Sequence, residues 1–195
     1  AYVHQENEFI DFRRDRLLYH MISSEGPKIG KADVNSDGLE DLYIGGAKDS
    51  PGALLIQDQN GQFINSKNNI FAEDALSEDS GVEFFDADND GDPDLYVASG
   101  SVELPNSSSG LIDRMYFNDG NGNFVKSDQI LPTFNFESTS CVRSCDFDLD
   151  GDLDLFVGVR SKPFMYGIPT NGYLLKNDGT GKFTDVTRQI ASDLI

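Results

Sequence analysis

Asp33, Asn35, Asp37, Gly38 and Asp41 stand in the pattern Asp-x-Asn-x-Asp-Gly-x-x-Asp, and residues 86–94 and 146–154 repeat it with aspartate at the third position. Side chains at positions 1, 3 and 5 of such a stretch converge as the backbone curls. Glycine at position 6 permits the sharp turn, and position 7 offers a carbonyl. Hard oxygen donors without nitrogen or sulfur select Ca²⁺ over zinc or copper, and Mg²⁺ is disfavoured because it dehydrates reluctantly. The windows hold three, five and five aspartates. Packing like charges so closely is costly unless a cation lies among them. The expected cofactor is therefore Ca²⁺, at about three sites.

The loops are not EF-hands. Position 12, where an EF-hand carries a bidentate Glu, holds Ile44, Val97 and Val157. Position 9 is Asp in all three windows and supplies the missing carboxylate. No His or isolated Glu is spaced to work on a metal-bound water, so the metal is expected to be structural and no catalytic residue is assigned. His4 and His20 precede the first loop and read as surface or packing residues. The chain is expected not to be an enzyme.

The elements that must position these loops are short strands. After each window comes an apolar, aromatic and β-branched run at residues 42–46, 95–99 and 155–159, too short for a helix. A second landmark follows each time: Asn-Asp-Gly-Asn-Gly-Asn-Phe at 118–124, Asn-Asp-Gly-Thr-Gly-Lys-Phe at 177–183, and the looser Gln-Asp-Gln-Asn-Gly-Gln-Phe at 57–63. Asp-Gly or Asn-Gly between apolar runs is a hairpin signal, because the turn requires positive φ. Residues 9–14 resemble 183–188, which predicts an outer strand of a preceding blade within 1–20. Three full units follow, at 27–75, 80–132 and 138–190. Four antiparallel strands per unit make an all-β fold of β-propeller blades.

The windows and hairpins resemble FG-GAP/VCBS repeats, the calcium-binding blades also found in integrin α-subunit propellers. Residues 112–120 and 173–179 are similar to VCBS-repeat proteins of bacterial cell surfaces. The resemblance implies a propeller, extracellular or surface-attached and associated with the bacterial outer membrane, that binds proteins or glycans. Carried over by position, the ligands are Asp33, Asn35, Asp37, the Leu39 carbonyl and Asp41. The second set is Asp86, Asp88, Asp90, the Asp92 carbonyl and Asp94, and the third Asp146, Asp148, Asp150, the Asp152 carbonyl and Asp154. Three blades are fewer than the roughly four to eight of a closed ring. Further blades or another chain are therefore expected to cover the open blade faces. Alternative roles are an accessory subunit of an outer-membrane or secretion complex, or a non-catalytic part of a polysaccharide-degrading enzyme.

The connectors at 47–52, 100–114 and 160–171 vary in length on one rim, where binding usually resides. Glu103, Asp113, Arg114, Arg160, Tyr166 and Tyr173 are the candidate contacts to a protein or glycan partner. A net charge of −19, from 34 acidic against 15 basic residues, argues against nucleic acid and against an anionic membrane surface. No apolar run is long enough to insert into a membrane. If 140–145 is a strand, Cys141 and Cys145 lie about 13 Å apart at about 3.3 Å per residue. That exceeds the roughly 7 Å between Cα atoms that a disulfide bridges, so two unpaired, buried thiols are expected. The chain opens on Ala1-Tyr2, as expected of a piece of a longer protein.

Overall fold

The computed structural model describes residues 2–67, 70–132, 136–165 and 167–194. Twelve strands among them form three four-stranded antiparallel sheets, each paired in chain order. Blade 1 comprises β1 (Ile29–Ala32), β2 (Asp41–Ile44), β3 (Ala53–Gln57) and β4 (Phe63–Asn65). Blade 2 comprises β5 (Asp79–Phe85), β6 (Asp94–Ser99), β7 (Arg114–Asn118) and β8 (Phe124–Lys126). Blade 3 comprises β9 (Ser138–Cys145), β10 (Asp154–Ser161), β11 (Gly172–Asn177) and β12 (Phe183–Asp185). The innermost strands are neighbours, with β5 in contact with both β1 and β9. These are β-propeller blades, three in number.

Two hydrophobic cores occupy the two seams between blades, and strand periodicity explains the division. Successive side chains of a strand point to opposite faces. On β6, Leu95 and Val97 join Val34, Tyr43 and Leu54 of blade 1, whereas Tyr96 and Ala98 join Val142, Leu155 and Val157 of blade 3. Because blade 2 is covered on both sides, all six β6 residues are buried. Phe71, on a 3₁₀ turn (Ile70–Asp74), fills the first seam with its ring 5.0 Å from those of both Tyr43 and Tyr116. The hairpin phenylalanines record the same geometry. Phe124 and Phe183 are buried in the seams that their blades share with the preceding one, but Phe63 is 44% exposed.

Buried polar side chains link the two blades across the first seam. The Arg114 guanidinium lies 2.6 Å from Asp79 Oδ1, and Asp79 Oδ2 accepts from the Tyr43 hydroxyl and the Gly46 N–H at 2.8 Å each. This network ties blade 1 to blade 2.

Two expectations are corrected. The N-terminal segment is not an outer strand. Asp11–Arg13 is a 3₁₀ turn, and the Asp11 carboxylate accepts the N–H groups of Ile22 and Ser23, folding the segment on itself. The sequence likeness to 183–188 reflects turn chemistry: Asp185 ends β12 and accepts the Thr187 N–H at 2.9 Å. The cysteines are free, as expected, but both are exposed. Val142 points into the seam with blade 2, so its alternates Cys141, Arg143 and Cys145 face away from it. No helix among the described residues is long and apolar enough to cross a membrane.

Candidate metal centres at the blade seams

Each acidic window is the turn between the first and second strands of a blade, and its backbone is bent the same way three times. Position 4 is left-handed in every loop (Ser36, Asn89 and Leu149, φ 59°, 63° and 64°), and so is position 6 (Gly38, Gly91 and Gly151, φ 86°, 93° and 100°). Nothing lies within 4 Å of where a Cβ would stand on these three glycines, so dihedral angle rather than space requires them. The left-handed position 4 had a weak sequence signal in Ser36 and Asn89 and none in Leu149.

The curl is held by the loops' own carboxylates. Position 1 accepts the position-6 N–H: Gly38 to Asp33 at 2.8 Å, Gly91 to Asp86 and Gly151 to Asp146 at 3.1 Å. Position 5 accepts the position-7 N–H, from Leu39 to Asp37, Asp92 to Asp90 and Asp152 to Asp150. Position 9 opens the second strand and is buried in all three blades. One oxygen of Asp41, Asp94 and Asp154 accepts the position-2 N–H of Val34, Ala87 and Phe147. The other accepts the N–H ending the third strand, from Gln57, Asn118 and Asn177, at 2.8 Å each.

The loops also bind the next blade. Asn118 Nδ2 donates to the Val34 carbonyl at 2.8 Å, and Asn177 Nδ2 to the Ala87 carbonyl at 2.7 Å, each reaching position 2 of the preceding blade's loop. Asn89 Nδ2 crosses from the second loop to Asp152 Oδ1 at 2.8 Å. The acidic loops are thus parts of the seams. Sequence reasoning missed these asparagines as linkers, although Asn at 118 and 177 against Gln57 was the available signal.

Oxygens of Asp86, Asp88 and Asp94 lie within 4.8 Å of one another, and so do those of Asp146, Asp148 and Asp154. In the first loop position 3 is a neutral amide, whose Nδ2 donates to Asp37 at 3.1 Å, and no such three-acid group forms there among the described residues. The second loop is the most strained electrostatically. Asp86 Oδ1, Asp88 Oδ1 and Asp92 Oδ1 are buried without a hydrogen-bond partner. Burial, with Asp88 and Asp92 nearby, pushes the Asp94 carboxyl up to about 7, against the pull of its two N–H donors. Burial, then Asp90 and Asp88, pushes Asp92 up to about 6, and Asp88 is raised by burial and Asp90. Burial likewise raises Asp41 and Asp154, while Lys176 holds Asp150 below its usual value. Convergent carboxylates, orphaned oxygens and suppressed ionisation fit a hard divalent cation.

A pH dependence follows for the metal-free protein. Asp92 at about 6, Asp94 and Asp113 at about 7 and Glu78 at about 8 all lie above the usual carboxylate values near 4. Between those limits the folded state holds more protons than the unfolded chain, so stability falls as pH rises. In EDTA, melting temperature is expected to drop steadily from about pH 4 to about pH 8. A flat or rising profile contradicts the reading.

The candidate partner contacts fare differently. Asp113 and Arg114 are buried at 1% and 4% exposure, which removes them from the rim. Asp113 accepts from Tyr96, Ser99 and Thr139, and Arg114 from β7 pairs with Asp79. Tyr173 is buried in the second seam, its hydroxyl bonded to Glu137. Glu103 is half-buried and accepts from Asn7 Nδ2 at 2.5 Å. Arg160 is exposed and forms a two-pronged pair with Glu25, at 2.8 and 2.6 Å. Tyr166 lies outside the described residues. His4 pairs with Glu6 and His20 with Glu25, neither near an acidic loop's carboxylates in these contacts.

Among curated proteins none is similar enough in sequence to count as a match. A solved structure of an Agrocybe aegerita lectin, concerned with specific recognition of non-reducing terminal N-acetylglucosamine, superposes with a TM-score of 0.50 at 20% identity. The alignment covers 81% of this chain and 36% of the lectin, so the chain spans about a third of that protein's length. At that identity the likeness is one of fold. The FG-GAP-like repeat matches residues 33–97 and 102–157, more than half of the chain and all three acidic windows through their second strands' apolar cores. The chain therefore belongs to the FG-GAP-like repeat family.

Proposed function

We propose that this chain is a non-catalytic, calcium-stabilised scaffold that presents a loop rim to a protein or glycan partner outside the cell or at its surface. The observation that carries the calcium reading is the second loop, where Asp86, Asp88 and Asp94 converge and buried oxygens of Asp86 and Asp88 have no partner. A cation there offsets part of the charge of the five aspartates and, through the Asp94–Asn118 and Asn118–Val34 bonds on one side and the Asn177–Ala87 bond on the other, stiffens both seams. Extracellular calcium is abundant enough to fill sites of modest affinity.

For the partner, the third connector supports the rim reading. Phe164, Met165 and Ile168 are 54%, 45% and 51% exposed, with the Arg14 guanidinium 4.0 Å from the Phe164 ring centroid. The second connector instead buries Val102, Leu104 and Leu111. The lectin of like fold binds a sugar, which places glycans first among partners to try.

Calorimetric titration of the EDTA-stripped protein is expected to give calcium dissociation constants of about 10⁻⁴–10⁻³ M, the range of extracellular modules, with much weaker Mg²⁺ binding. Absence of heat at millimolar calcium removes the metal reading. Screening on immobilised glycans, with and without calcium, tests the partner: capture that is lost with Phe164→Asp locates it on the third connector.

A further inference from the structure

The three loops are built alike, yet among the described residues only the third has a basic side chain placed against its ligand positions. The residue before the hairpin Gln or Asn is Ile56 in β3, Phe117 in β7 and Lys176 in β11, at one and the same register: Ile56 opposite Ile64, Phe117 opposite Val125 and Lys176 opposite Thr184. Lys176 Nζ pairs with Asp148 Oδ2 and, at 2.8 Å, with Asp150 Oδ2. Asp148 and Asp150 hold positions 3 and 5 of the third loop. In the second loop Asp86, Asp88 and Asp92 each retain a buried oxygen without a partner. No buried carboxylate oxygen of the third loop is left so among the described residues.

We propose that Lys176 is an internal counter-cation of the third loop, which weakens calcium binding there relative to the second loop and makes the two loops load at different calcium levels. The inference rests on the calcium reading above. An incoming Ca²⁺ must either displace the ammonium from Asp148 and Asp150 or share them with a like charge at close range, and both lower affinity. The same contact quiets the third loop's own repulsion when calcium is scarce. Among the described residues no basic side chain pairs with the second loop, whose equivalent residue is Phe117.

The test is a calcium titration of the full chain followed residue by residue by NMR. The amides of Gly91 and Gly151 report separately, because each donates to the position-1 carboxylate of its own loop. In the unaltered protein Gly91 is expected to saturate at lower calcium than Gly151. Lys176→Ile, which installs the blade 1 residue, should shift the Gly151 midpoint down about tenfold and leave Gly91 in place. Lys176→Gln, similar in length and uncharged, should do the same, whereas Lys176→Arg should leave both midpoints unchanged. Coincident midpoints in the unaltered protein, or a Gly151 midpoint that ignores both neutral substitutions, overturns the role of Lys176 while leaving calcium binding intact. If neither amide responds to calcium in any variant, the calcium reading itself fails and this inference with it.

Discussion

Arg114→Ala is expected to destabilise the protein by about 3–5 kcal/mol, read as a lower urea midpoint at unchanged slope. The guanidinium is buried, and its Nε and Nη2 also bond Ser99 Oγ at 3.2 and 3.1 Å. Truncation leaves Asp79 with its charge inside the first seam, facing only Tyr43 and the Gly46 N–H. The net worth of a buried pair is small, because desolvation offsets attraction; the cost of orphaning one partner is large. The double substitution Arg114→Met with Asp79→Asn, which removes both charges but keeps an acceptor oxygen for Tyr43 and Gly46, should therefore cost less than Arg114→Ala alone. If Arg114→Ala unfolds at the unaltered midpoint, the seam does not depend on this pair.

Asp94→Ala is expected to cost about 2–6 kcal/mol even in EDTA, since both N–H groups it serves lose their acceptor and each such loss costs about 1–3 kcal/mol. Ala87 and Asn118 are the donors, at 2.9 and 2.8 Å. One belongs to the acidic loop and the other to the hairpin end of β7, so the change loosens both. The variant should in addition lose the part of calcium-dependent stabilisation that comes from the second loop, because only a ligand bound by the folded state raises its stability. Melting curves with and without calcium separate the two effects. An Asp94→Ala protein that melts normally in EDTA contradicts the structural half. One that keeps the full calcium response contradicts the metal half.

Much of this architecture was legible in the sequence because two independent signals ran in step. Short apolar runs rich in aromatic and β-branched residues marked the strands, and the Asn/Asp-Gly turns marked where they reverse. The acidic windows fell between them at one fixed place in each unit. Position 9 was read as a metal ligand; its second role, taking two backbone donors in every blade, depends on residues such as Asn118 and Asn177 that lie 24 and 23 positions away. Three of the six rim candidates, Asp113, Arg114 and Tyr173, are buried, for a related reason. Asp113 and Arg114 sit where a connector joins a strand, and only the packing of blade on blade decides that they turn inward. Cys141 gave no warning of its exposure, since the face a strand presents is set by which neighbour its alternate residues meet. The N-terminal likeness to 183–188 was real, but it described an Asp that ends an extended segment rather than the segment itself.

The most direct test of the account is a crystal structure grown in millimolar calcium. The account predicts an ion in the second loop, with oxygen contacts of about 2.3–2.6 Å from Asp86, Asp88 and Asp94 and the position-7 carbonyl of Asp92. It further predicts that the orphaned oxygens of Asp86 and Asp88 are among the ligands. A second loop closed over water alone, with Asp94 still bonded to Ala87 and Asn118, would show that the carboxylates hold the turn without a metal.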